Sequence, residues 1–175
     1  MNNKLNSQEI KQKAQDIYQT GDYQSAAQAF ADASIAYANE GDLLTSTEMK
    51  NNESVALLRA KQAQAALEAA QGTDIVFAEA GDERRRGMAL ANQASAQEAL
   101  KHFKEAIDLY TKAGEALEKA GEIDMRVEVM QLLSTLYLRR FKLFDAIITL
   151  QSGLIAVKNP TPKQRFMKKL LFIRL

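Results

Sequence analysis

Three consecutive arginines, Arg84, Arg85 and Arg86, follow Gly81 and Asp82 in the stretch FAEAGDERRR. A glycine turn leading into guanidinium groups is a candidate for phosphate, nucleic-acid or acidic-partner contact. A second basic segment, PKQRFMKKLLFIRL, sets Lys163, Arg165, Lys168 and Lys169 among large apolar residues. A third candidate is neutral: Asn52 and Asn92 stand forty residues apart. A side-chain amide donates and accepts together, so a spaced pair can clamp a peptide backbone whatever its sequence. Catalytic chemistry finds little material. His102 is the only histidine and there is no cysteine, which removes thiolate nucleophiles, disulfides and the usual zinc sets. Acids such as Asp74 and Glu79 show no pairing. The residues predict no catalytic group, no metal and no cofactor.

Composition narrows the partners. A chain of 175 residues, 46% hydrophobic and 26% charged, fits one soluble domain with its own core. A net charge of +1 argues against general nucleic-acid affinity. The charge is unevenly placed, at −5 over residues 1–80 and +6 over residues 121–175. The opening MNNKLNSQEIKQK lacks the apolar stretch of a signal peptide, and no run approaches the ~20 apolar residues of a membrane span. A cytoplasmic protein without a transmembrane segment is the expectation.

What must position these side chains is a repeat. Gly41-Asp42, Gly81-Asp82 and Gly121-Glu122 recur at forty-residue spacing, and so do Ala26, Ala66, Ala106 and Ala146. Phe30, Ala70, Tyr110 and Leu150 keep the same register, as do Ala33, Thr73, Ala113 and Gly153. Apolar residues Tyr23, Ala26, Ala27, Phe30, Ala33 and Tyr37 recur at the three-and-four spacing of a helix face. The pattern predicts helices over about 7–19, 22–38, 43–60, 62–79, 83–100, 103–119, 123–140 and 143–157. Asn6 and Glu9 make a capping-box spacing, with Leu5 and Ile10 as its hydrophobic staple. Gly81 then reads as the end of one helix and Asp82 as the cap of the next, so the Gly-Asp signal is architectural. Only the arginines are peculiar to that turn.

At these residues the chain resembles a tetratricopeptide repeat protein. Gly21-Asp22-Tyr23, Ala26, Phe30 and Ala33 match the second half of that repeat, and Phe103, Ala106, Tyr110 and Ala113 match it again. The small residues Ala14, Ser54, Ala94 and Ser134 fall where the family brings its helices close. Forty residues exceed the usual ~34, as in the longer repeats of kinesin light chains, Partner-of-Inscuteable adaptors and peptide-responsive bacterial regulators. The first-helix tryptophan and terminal proline of the family are absent. The resemblance implies an all-α, right-handed superhelical α-solenoid of four hairpins, spanning the chain as a single domain with a C-terminal capping helix.

The resemblance also implies a function, a non-catalytic protein–protein interaction scaffold that takes an extended peptide or partner helix into a concave groove. The first helix of each repeat lines that groove, which here places Lys11, Gln15, Asn51, Asn52, Arg59, Asn92, Ser95, Thr135 and Arg139 in it. A carboxylate clamp found in some relatives is matched at Lys11 and Asn52, whereas Met88 and Asn92 stand where basic residues belong. The alternative is a self-associating regulatory or assembly domain whose basic C-terminal helix meets an acidic partner or membrane surface. Thr161, Pro162 and Gln164 carry helix-start signals for that segment over 162–175. It reads equally as a cap, a binding element or the start of a fifth repeat. As a cap, it would lay Phe166, Leu170 and Ile173 over Phe144, Ile147 and Leu150, with Lys163, Arg165, Lys168 and Lys169 facing outward.

Overall fold

Several helix starts in the chain are set by short side chains that bond back to the backbone. The computed structural model describes residues 6–171, without the Leu170 side chain. Leu5 and Ile173 lie outside it. Asn6 Oδ1 accepts the Glu9 N–H at 2.9 Å while the Glu9 carboxylate accepts the Asn6 N–H at 2.9 Å, closing the capping box. Asp22, Asp42 and Asp82 cap in the same way, accepting the N–H of Ser25, Thr45 and Arg85.

Ten helices follow among the described residues, and no strand. They are α1 Ser7–Thr20, α2 Tyr23–Asn39, α3 Leu43–Arg59, α4 Ala63–Ala70, α5 Thr73–Glu79, α6 Glu83–Ala99, α7 Phe103–Lys119, α8 Ile123–Arg139, α9 Leu143–Ile155 and α10 Pro162–Leu171. No helix among the described residues is long and apolar enough to cross a membrane. A left-handed residue ends a helix every twenty residues: Gly21, Gly41, Lys61, Gly81, Lys101, Gly121 and Phe141. The forty-residue repeat is therefore two twenty-residue units, each a helix and its stop.

Neighbouring helices meet through columns of small residues. Ala26, Ala66, Ala106 and Ala146 are buried, as are Ala14, Ser54, Ala94 and Ser134 on the first helices. Gly153 continues this logic, since a Cβ there would stand 2.8 Å from Met130 Cβ. Larger side chains fill the space between helix pairs. Phe30, Met49 and Leu57 serve the first two repeats, and Leu90, Tyr110, Leu117 and Leu133 the next two. The buried apolar residues form three successive clusters, the two larger ones drawn from more than one hairpin, which no single hairpin could close.

One expected helix is two. The predicted span 62–79 breaks at Gln71-Gly72, where Gly72 turns left-handed with φ 76° and Gln71 is extended. A glycine inside a helix permits such a break, but the freed backbone needs partners. The Ala70 carbonyl finds two, the Thr73 hydroxyl at 2.6 Å and Gln93 Nε2 at 3.1 Å. Gln93 Nε2 also donates to Asp74 Oδ1 at 2.7 Å, tying the kink to α6.

The C-terminal helix packs on the last hairpin, but not through Phe166; the Leu170 side chain and Ile173 lie outside the described residues. Met167 and Leu171 pack against the cluster of Val127, Leu154 and Val157. Phe166 remains 67% exposed and Phe144 is left uncovered. Helical phase decides this: Met167 and Leu171 are one turn apart on the face turned to α9, and Phe166 falls beside it. Lys168 does not simply face outward, because its Nζ donates to the Val157 carbonyl at 2.8 Å. Gln151 Nε2 reaches the Leu171 carbonyl at 2.5 Å, so α10 runs back along α9.

Candidate peptide-binding groove

The first helices α1, α3, α6 and α8 are joined side by side by ion pairs across their faces. Lys11 Nζ lies 3.4 Å from Glu48 Oε1, and Arg85 Nη1 lies 3.5 Å from Glu48 Oε2. Arg139 Nη1 meets Glu98 Oε1 at 2.8 Å. Glu48 therefore spans α1, α3 and α6, and Glu98 joins α6 to α8. Sequence reasoning missed both acids; their spacing from the basic residues, 37 and 41 positions along the chain, was the available signal.

A cleft of about 420 Å³ opens where α1 meets α3, lined by Gln15, Tyr18, Gln19, Phe30, Asn52 and Val55. It brings two expected groove residues, Gln15 and Asn52, to one site. Polar amides sit there beside aromatic and aliphatic walls, a combination that can bond a peptide backbone while burying an apolar side chain. Tyr18 and Phe30 stack tilted at a centroid distance of 6.4 Å, which makes the aromatic wall one unit. Tyr18, half-exposed at the cleft, is not among the residues that the sequence singles out.

The other expected groove residues have varied places. Asn92 is half-buried on α6, one repeat beyond Asn52 in the same column. Ser95 contacts the Tyr110 hydroxyl at 3.0 Å and donates to the Ala91 carbonyl, while Thr135 donates to the Gln131 carbonyl. Arg59 leans over the Tyr23 ring at 5.3 Å and donates to its hydroxyl at 3.4 Å. Lys11 and Arg139 are already engaged with carboxylates. Asn51 must be removed from the groove. It is only 6% exposed and its side chain lies 3.1 Å from the Thr73 hydroxyl, where it holds the α4–α5 break. Adjacent helix positions point about 100° apart, which here turns Asn51 inward while Asn52 lines the cleft.

The arginine cluster also resolves into internal contacts. Arg84 Nε meets Glu122 Oε1 at 2.9 Å, linking two successive repeat junctions. Arg85 Nε meets Asp82 Oδ2 at 2.6 Å and its guanidinium lies 5.2 Å from the Phe77 ring centroid. Arg86 pairs with Glu83 at 3.1 Å. Burial acts to raise the Asp82 pKa, but the Arg85 N–H and guanidinium outweigh it and hold the carboxyl below its ordinary value. The basic patch expected at this turn is thus a set of paired charges. On α10, Lys163, Arg165 and Lys169 remain exposed.

His102 Nδ1 lies 2.8 Å from Gln97 Oε1, a bond that fixes the turn before α7. Among the described residues no group of three or more His, Asp or Glu side chains is placed to hold a metal ion.

Solved structures share this architecture. A Podosopora anserina protein described as a kinesin light chain with nearly identical TPR-like repeats aligns over 93% of this chain and 82% of its own, at 17% identity and a TM-score of 0.71. A single-substitution variant of that protein aligns over 93% and 81%, at 17% identity and a TM-score of 0.72. BtubC (BKLC) of P. vanneervenii aligns over 90% of this chain and 64% of its own, at 20% identity and a TM-score of 0.71. The fold is a tetratricopeptide-like solenoid. No protein-family model matches the sequence, and no curated protein matches it. The likeness accordingly lies in the TPR-like architecture.

Proposed function

We propose that the chain is a protein-interaction scaffold that receives an extended segment of a partner along the concave face built by α1, α3, α6 and α8. The observation that carries this reading is the cleft at Gln15, Tyr18, Asn52 and Val55, and Asn92, half-buried, stands one forty-residue period beyond Asn52 in the sequence. Amides repeated at the solenoid's own period match a peptide backbone, which presents its donors and acceptors at regular intervals. The aromatic floor of Tyr18 and Phe30 would then select a side chain.

The test uses peptides selected against the intact chain from a random library. Asn52→Ala combined with Asn92→Ala is expected to weaken the selected peptides about tenfold or more, through two lost hydrogen bonds, with melting temperature nearly unchanged. Asn51→Ala is the control. It should lower stability and leave peptide affinity intact. Selected peptides indifferent to the double substitution would remove the groove reading.

A further inference from the structure

The fourth repeat breaks a rule that the first three obey. At the hairpin turn the chain carries Gly21, Lys61, Lys101 and then Phe141, all in the left-handed region. Three residues on stand Gln24, Gln64, Lys104 and then Phe144. Four further stand Gln28, Glu68, Asp108 and then Ile148. All twelve positions are exposed. The first nine are glycine, polar or charged; the last three are large and apolar. Phe141 is 98%, Phe144 83% and Ile148 62% exposed.

Truncation of a longer solenoid does not account for this face. In repeats one to three the same positions stay exposed although another repeat follows each of them. A fifth repeat would cover other columns. Nor does the fold explain Phe141: a bulky side chain at φ 57° is disfavoured, and it packs against almost nothing in return. Basic residues outnumber acids here: Arg139, Arg140 and Lys142 stand beside Phe141 in the chain, with Asp145 the single acid between residues 139 and 148, and Arg139 pairs with Glu98. Arg140 and Lys142 rest on the rings of Phe103 and Tyr137 at 4.8 and 5.8 Å instead of on carboxylates.

We propose that this hairpin tip, Phe141, Phe144 and Ile148 flanked by Arg140 and Lys142, docks peripherally onto an anionic lipid bilayer. Convexity favours lipid over a folded protein. An aromatic at a turn apex has no groove walls of its own, and a bilayer interface closes around a protrusion without needing a matching cavity. Arg140 and Lys142 meet phosphate headgroups, whose surface potential attracts each cation.

Vesicle co-sedimentation of the full chain tests this, using phosphatidylcholine with and without phosphatidylserine. Binding is expected only with phosphatidylserine and should weaken with added salt. Phe141→Gly with Phe144→Gln installs residues that the equivalent turns already carry. This variant should bind anionic vesicles about tenfold or more weakly, from the loss of two inserted aromatic rings, with a melting temperature equal or higher. The chain has no tryptophan, so Phe141→Trp supplies a lone reporter whose emission should shift to the blue on those vesicles. Failure of the wild-type chain to sediment, or equal sedimentation of the double variant, would overturn the proposal. A dimer in light scattering that the double variant abolishes would overturn it too, by assigning the patch to a second copy.

Discussion

Single side chains in this molecule are judged by what they already hold. Tyr110 is the clearest titrating case. Burial, aided by nearby Glu98, pushes its phenol up to about 12, although the Ser95 hydroxyl opposes the shift. The protonated form is the one the fold favours. Its contribution is therefore complete below the unfolded value near 10 and drains away as pH rises from there through about 12. The decline should amount to a few kcal/mol at most. Unfolding measured by urea titration across that window should show it, and Tyr110→Phe should flatten the curve in that region while costing about 1 kcal/mol at neutral pH. An alkaline decline identical in both proteins would place the titrating group elsewhere. The N-cap carboxylates act with the opposite sign. Bonds from Ser25 hold Asp22 below its ordinary value, and bonds from Thr45 do the same for Asp42. Their contribution is present above the unfolded carboxylate range and is lost as pH falls through the depressed values.

At the scale of the element, repeat register was legible because turn residues and small residues are dictated by backbone geometry. Gly41, Gly81 and Gly121 needed only their spacing to be read. The left-handed role of Lys61, Lys101 and Phe141 was not legible, since those side chains do not advertise positive φ. Gly72 stands inside the span 62–79 that the spacing reads as one helix, and the break there depends on Thr73, Asn51 and Gln93 converging from α5, α3 and α6. That convergence is tertiary. Gly72→Ala should destabilise the chain by roughly 1–2 kcal/mol, the cost of a Cβ in the left-handed region, since open space surrounds it and no clash adds to the strain. A shift in urea midpoint measures this, and an unchanged midpoint would mean the helix straightens at no cost. Removal of residues after Asn159 strips Met167 and Leu171 from the cluster of Val127, Leu154 and Val157. The loss should be about 2 kcal/mol, below the value for two fully buried side chains. Thermal unfolding with light scattering would report lower stability and association through the uncovered face.

For the whole molecule, the solenoid explains why the opening arginines and the groove amides differ in meaning. Arg84, Arg85 and Arg86 lie at a junction where several helix ends converge, and carboxylates of neighbouring units reach them. Asn52 and Asn92 lie along the row of first helices, where the architecture leaves a face open. The sequence alone places both groups on helices, but only the stacking of repeats decides which side chains are consumed. The central claim is that the open face of α1, α3, α6 and α8 is where a partner segment lies. Amide chemical-shift mapping with a library-selected peptide tests it most directly. The account predicts perturbations at Gln15, Tyr18, Asn52, Val55 and Asn92, with the hairpin tip at Phe141 and Phe144 unmoved. Perturbations confined to that tip or to the outer faces of α2, α7 and α9, with Asn52 and Asn92 silent, would contradict it.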